Sequence, residues 1–168
     1  MNKLYVHSFE TPMGRVHTAS SEKGLALVGL PRETKRRFYT RMGKHFPDYE
    51  VCSGEAINKK AQTQIVAFLS GKRTGFDLPL DIRGTPFQVK VLKRVARIPY
   101  GKTRTYGEIA RAIDHPRASR AVGGANAQNN LPLVIPCHRV VAANGLGGYG
   151  GGLAMKRHLL KIERPLRD

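Results

Sequence analysis

Three short β-rich runs open the chain. Leu4–Phe9, Arg15–Ser20 and Leu25–Leu30 are separated by Thr11-Pro12-Met13-Gly14 and Ser21-Glu22-Lys23-Gly24, which predicts a β-meander of antiparallel neighbours. The spacing then turns helical in a charged segment around Arg32–His45. A second such segment around Ala56–Leu69 puts Ile57, Ala61, Ile65 and Phe68 on one side and stops at Gly71. Phe76-Asp77-Leu78-Pro79-Leu80 reads as extended, with Pro79 favouring a sheet edge or a linker, and a domain boundary is expected near Asp81–Gly84.

The pattern after Thr85 is different. Thr85 can cap a helix that starts with Pro86 and carries Phe87, Val91, Leu92, Val95 and Ile98 on its apolar side, until Pro99 and Gly101 stop it. Thr105-Tyr106-Gly107-Glu108 has capping-box spacing and opens a short helix through Ile109, Ala110 and Ile113; a third helix is expected to start near Pro116, after a turn at Asp114-His115. Two short helices joined by so tight a turn suggest a helix-turn-helix. The expected architecture is an α/β amino-terminal domain over 1–82, an antiparallel sheet with helices, followed by a mostly α-helical domain with a helix-turn-helix over 83–168.

Adjacent glycines make the third helix unusual, because Gly123 and Gly124 each cost about 1 kcal/mol relative to Ala in a helix interior. Ala121, Val122 and Ala125 suit close packing against another helix. Alternatively, the small face lets the backbone lie in a DNA groove, with Arg117 and Arg120 projecting from the first turns.

Charge adds weight to the second reading. The 168 residues hold 29 Lys plus Arg against 12 Asp plus Glu, a formal charge of +17. Such a balance serves either a solubilising surface or a polyanionic partner. From Gly84 onward 15 basic and 4 acidic residues give +11, whereas the first 83 residues carry +6, so the second half is the better phosphate-facing candidate. No apolar run is long enough to span a bilayer, and the start lacks a signal peptide's apolar centre, so a cytoplasmic protein is expected, or a nuclear one in a eukaryotic cell. Cys52 and Cys137 are the only cysteines and sit in no zinc-ligand spacing, so no metal is expected and each is read as a free thiol.

The chemistry concentrates in Ile135-Pro136-Cys137-His138-Arg139-Val140, which precedes the glycine-rich Asn144–Gly152. An isolated cysteine among Val and Ile is usually a small buried hydrophobe. Here His138 and Arg139 could favour the nucleophilic thiolate, although each could equally be structural: His138 by satisfying backbone carbonyls, Arg139 by burial or by a phosphate contact. On an extended segment neighbouring side chains point to opposite faces, so His138 needs a relaying water or a turn to serve Cys137. Its far nitrogen would want an orienting acceptor. Glu163 is a candidate, though alone it reads as an ordinary exposed helix residue.

These motifs, with Gly84-Thr85-Pro86-Phe87-Gln88, Ile98-Pro99-Tyr100-Gly101, Thr105–Ala110, Ser119–Ala125 and Gly151-Gly152-Leu153-Ala154, closely resemble the methylated-DNA–protein-cysteine methyltransferases, or O6-alkylguanine-DNA alkyltransferases. The match runs almost continuously from Gly84 to about Glu163; the first eighty residues match only in layout. The resemblance implies DNA repair without a cofactor. The alkyl group of a flipped O6-alkylguanine in double-stranded DNA, with O4-alkylthymine as a second candidate, moves irreversibly to Cys137, once per molecule. It implies that His138 is the base through a water, that Glu163 is its partner, and that Asn129 braces the turn before the active site. Arg120 would fill the vacated stack and Tyr106 would bond and crowd the flipped base. Arg117, Ser119, Ala121, Gly123, Gly124 and Asn126 would face DNA. Tyr149 and the Gly150 N–H would form the pocket wall and a donor to the alkylated oxygen, while the Cys137 and Val140 carbonyls accept from the guanine amino group. A monomer is expected, with cooperative binding on DNA left open.

The chain departs from the family at several points. Asn130 replaces a proline common after the hinge asparagine, and Asn126 stands where some members carry an apolar residue against DNA. The glycine loop is shorter than in some relatives. The amino-terminal zinc ligands of some relatives are not recognisable. Two other readings compete: a catalytically silent relative would lack the acceptor cysteine that this chain keeps, and a helix-turn-helix regulator would need a dimer seam that no long apolar helix supplies.

Overall fold

The computed structural model describes residues 2–54 and 57–164. The chain divides into two units, Met1–Arg83 and Gly84–Asp168. In the first, β1 (Lys3–Thr11), β2 (Gly14–Ser21) and β3 (Gly24–Gly29) pair antiparallel in the meander the turns anticipate. The sheet order is β3-β2-β1-β4, because β4 (Glu50–Ser53) adds parallel to β1 at the other edge. Sequence patterning misses β4: Glu50, Val51 and Ser53 are exposed, so an edge strand with no buried face shows no alternation.

Every residue of β3 is buried, which requires cover on both faces of the strand. Helix α1 (Lys35–His45) supplies Phe38 and Met42 to a core with Leu4, Ala19, Ala26, Leu27 and Phe46. It starts three residues later than the sequence suggests, because the Thr34 hydroxyl caps it by accepting from the Arg37 N–H. Helix α2 (Ile57–Leu69) packs on the strands through the expected Ala61, Ile65 and Phe68; Ala56, where the sequence reading begins this helix, lies outside the described residues. Beyond α2, the extended 76–80 segment lies along the β3 edge, with Leu25 donating to the Pro79 carbonyl and accepting from the Asp81 N–H at 2.8 Å each. Pro79 needs no N–H of its own there.

The second unit is mostly helical. Thr85 caps α3 (Pro86–Val95) in a reciprocal capping box with Gln88, and Val91, Leu92, Val95 and the following Ile98 are buried as expected. Thr105 caps α4 (Tyr106–Ala112) by accepting from the Glu108 N–H, but the Glu108 carboxylate takes the Thr105 hydroxyl rather than its backbone N–H, so only half of the expected box forms. Helix α5 (Ser119–Ala127) packs against both α3 and α4.

The turn before α5 is longer than expected. Asp114 adopts φ 63° after α4, Pro116 disfavours helix at His115, and an Ala118 N–H bond to the His115 carbonyl closes a turn before Ser119. Arg117 therefore lies in this turn, exposed, and not on the helix. Two short parallel strands, β5 (Arg104–Thr105) and β6 (Val140–Val141), join the start of α4 to the segment after Cys137. Helix α6 (Leu153–Glu163) follows the glycine loop. Among the described residues, no helix is long and apolar enough to cross a membrane, and no group of three or more His, Cys, Asp or Glu is placed to hold a metal.

Candidate active site

Residues Cys137–Arg139 form one 3-10 turn, one of the two arrangements the sequence left open beside a relaying water, and not an extended segment. Pro136 sets up the bend: the Cys137 N–H reaches back to the Ile135 carbonyl at 2.7 Å, and the Arg139 N–H to the Pro136 carbonyl at 2.9 Å. Opposite-face alternation consequently does not apply to Cys137 and His138.

Glu163 is the polar centre of the site. It is 3% exposed, contrary to its reading as a surface residue, and each of its carboxylate oxygens takes two donors. Oε2 accepts from His138 Nε2 at 2.5 Å and Arg139 Nη2 at 3.1 Å; Oε1 accepts from Arg139 Nε at 2.8 Å and the Gly101 N–H at 3.0 Å. Gly101 is suited to this contact, because its φ is 80° and a side chain there would start 3.1 Å from the Glu163 carbonyl. Burial alone would raise the Glu163 pKa, but the hydrogen bonds from His138 and Arg139 outweigh it and hold the carboxyl at about 2.

Burial lowers the His138 pKa, and the nearby Arg139 and Lys156 charges add to this against the opposing pull of Glu163. The imidazole is therefore neutral at pH 7. Since an ionised carboxylate only accepts, the ring proton sits on Nε2 and the Nδ1 lone pair remains the basic one. Arg139 is a structural residue: besides Glu163 it donates from Nη1 to the Ile98 carbonyl at 2.7 Å and lies 5.5 Å from the centre of the Tyr100 ring.

Burial pushes the Cys137 thiol pKa up. A hydrogen bond from the Asn129 side chain, the Lys156 charge and the backbone N–H groups of Cys137 and His138 oppose that rise. Asn129 also spans the preceding turn, donating to the Ile135 carbonyl and accepting from the Leu131 N–H at 2.9 Å each. Within this turn Leu133 is buried at φ 75°, a conformation costly for a branched residue and held by the packing around it. Asn130, in the position of the common proline, is buried as well.

Sequence reasoning overlooked Lys156. It is fully buried in α6, one helical face with Leu159 and Glu163, and donates to the Val140 carbonyl at 2.7 Å and the Gly148 carbonyl at 3.0 Å. It thereby ties β6 to the glycine loop. A lysine beside Met155 and Leu159 on the buried side of the helix was the available signal.

The remaining candidates divide by exposure. On α5, Ser119, Arg120, Ala121 and Gly124 face outward, while Val122 and Ala125 are buried, so Ala121 does not pack as the close-packing reading expected. A side chain at Gly124 would meet nothing within 4 Å, and at Gly123 only the Tyr106 ring at 3.8 Å. Asn126 is not on the outer face: it is buried, with Nδ2 3.4 Å from the Cys137 carbonyl oxygen. Tyr106 projects toward the glycine loop, and at Gly147, where φ is 73°, a side chain would start 2.6 Å from its hydroxyl. The Tyr149 ring lies edge-on to His138 with centroids 6.4 Å apart, and its buried hydroxyl stays protonated, its pKa raised by burial and then by the Cys137 and Glu163 charges. Gly150 is exposed on the same loop.

The family model for the 6-O-methylguanine DNA methyltransferase DNA-binding domain matches residues 86–165. The chain is 42% identical over 161 residues to the methylated-DNA–protein-cysteine methyltransferase of Methanosarcina acetivorans, covering 95% of this chain and 98% of that one. It is 39% identical over 166 residues to the constitutive enzyme of that name from Bacillus subtilis, covering 95% of each. In structure it is similar to Mycobacterium tuberculosis OGT in complex with DNA, with TM-score 0.81 and 38% identity over 95% of this chain and 92% of that one.

Proposed function

Because the chain belongs to the methylated-DNA–protein-cysteine methyltransferase family of DNA-repair alkyltransferases, we propose that Cys137 is its alkyl acceptor and that His138, Glu163 and the α5 face serve that one reaction. The observation that carries this reading is the Cys137–His138 turn bonded through His138 to the buried Glu163, whose carboxylate takes four hydrogen bonds. In an exposed helix that carboxylate would need no such setting. Here it fixes which His138 nitrogen is basic.

The step is a displacement at carbon. A base flipped from the duplex enters beside Cys137, since a side chain cannot reach O6 within the stack. The thiol proton passes by way of a water to His138 Nδ1, the sulfur attacks the alkyl carbon, and the carbon–oxygen bond breaks with its electron pair going to the base. A proton returned to the base, with the Tyr106 hydroxyl as a donor, completes a normal guanine and leaves a thioether on Cys137. A thiolate is a poor leaving group from the unactivated carbon of a thioether, and among the described residues no group is placed to assist its hydrolysis, so each molecule reacts once. The same attack on O4-alkylthymine is chemically available.

The outward face of α5 suits the DNA groove. Arg120 is the side chain that fills the vacated stack, exposed Arg117 and Ser119 contact the backbone, and Gly124 leaves room for close approach. Double-stranded DNA is thus the partner, met by a basic second unit of charge +11.

Cys137→Ser tests the division of labour. It keeps the approximate shape and removes the good nucleophile, so alkyl transfer is expected to vanish while affinity for methylated duplex changes less than about threefold. Residual transfer near the wild-type rate, measured with radiolabelled methyl on the DNA, would show that another residue accepts the alkyl group.

A further inference from the structure

We propose that Asn126 reads the exocyclic amino group of the flipped base and makes the pocket select guanine over bases without that group; this deepens the alkyl-transfer reading and rests on it. Asn126 is 7% exposed, and its Nδ2 is 3.4 Å from the Cys137 carbonyl oxygen. That oxygen only accepts, so the amide must turn its nitrogen toward it and its Oδ1 the other way. Oδ1 is buried and, among the described residues, has no hydrogen-bond partner. A contact of 3.4 Å is also long for a bond whose purpose is bracing. The side chain therefore carries an unused acceptor within one amide width of the backbone oxygen beside the reacting thiol.

A buried acceptor without a donor is a cost to the free protein that a ligand can remove. O6-alkylation takes the proton from N1 of guanine, so N1, N3 and N7 are all acceptors and the 2-amino group is the one donor left on the base. Asn126 Oδ1 is matched to that group. O4-alkylthymine offers no N–H on its pairing edge and would leave Oδ1 unpaired. A site built to bond a donor rejects an analogue that lacks it far more strongly than an apolar wall would.

Single-turnover methyl transfer from duplexes carrying O6-methylguanine or O6-methylhypoxanthine, which differ only by the 2-amino group, tests the assignment. The wild-type protein is expected to prefer O6-methylguanine, and Asn126→Leu, near-isosteric and apolar, to lower that preference by about tenfold. Each preference is a ratio within one preparation, so a partly folded variant does not distort it; Asn126→Ala, which introduces no new bulk, is expected to lower it similarly. An unchanged preference in both variants, with wild-type transfer intact, would overturn the role of Asn126 alone. A wild-type protein that accepts methyl from neither duplex would overturn the alkyl-transfer reading and this one with it.

Discussion

Glu163→Ala is expected to destabilise the protein by about 3–5 kcal/mol, because it strands the buried Arg139 guanidinium without its counter-charge. In the native protein that guanidinium, His138 and the Gly101 N–H all converge on the one carboxylate. Denaturant melts measure the loss, and a change below about 1 kcal/mol would mean that the site is not organised around Glu163. The same group sets an acid limit. A carboxyl held at about 2 instead of 4.5 contributes stability that is complete above the unfolded value and is lost as pH falls toward 2. His138, whose pKa is lowered from 6.5, acts in the same direction at higher pH: below 6.5 the unfolded chain binds the proton more readily. His17 and His45 are lowered too and add to it. Wild-type stability is thus expected to decline in two stages on acidification, and Glu163→Ala to lack the second.

Arg120→Ala is expected to slow transfer from methylated duplex by about 100-fold while changing transfer from free O6-alkylguanine base by less than about twofold. Arg120 is exposed near the start of α5, remote in role from the buried hydrogen bonds around Cys137, so its loss removes compensation for flipping and leaves the thiol chemistry in place. Tyr106→Phe provides the contrast: its hydroxyl serves the leaving base, so both substrates should suffer. If Arg120→Ala impairs the free base as severely as the duplex, Arg120 supports the fold or the thiolate instead of the stack.

Local signals in the sequence account for much of this arrangement. Thr85-Pro86 announces the start of α3 because cap and first-turn preferences are set within a few residues, and the three meander strands show because their turns are written in Pro and Gly. What escaped notice depends on contacts between distant segments. Strand β4 exists because β1 offers an open edge, not because Glu50–Ser53 favours extension. Lys156 and the burial of Glu163 escaped notice because both look like surface residues until Arg139, Gly101 and the Val140 carbonyl close around them; the pairing of His138 with Glu163, 25 positions apart, is expected from the family resemblance and from no spacing rule. Asn126 lies on a helix whose small outward face suggested DNA, yet its side chain turns inward to Cys137. The Pro-Cys-His-Arg core stands out because its chemistry is contiguous, and a turn there is one of the two ways left open for His138 to serve Cys137.

Mass spectrometry of the intact protein and its peptides, after mixing with excess duplex containing O6-methylguanine, tests alkyl transfer to Cys137 most directly. The expected result is a gain of one methyl group per molecule, located on the Cys137 peptide, with the DNA restored by an equal amount and no further reaction on prolonged incubation. Repair that continues past one equivalent while Cys137 stays unmodified, or a methyl found on Cys52, would contradict it.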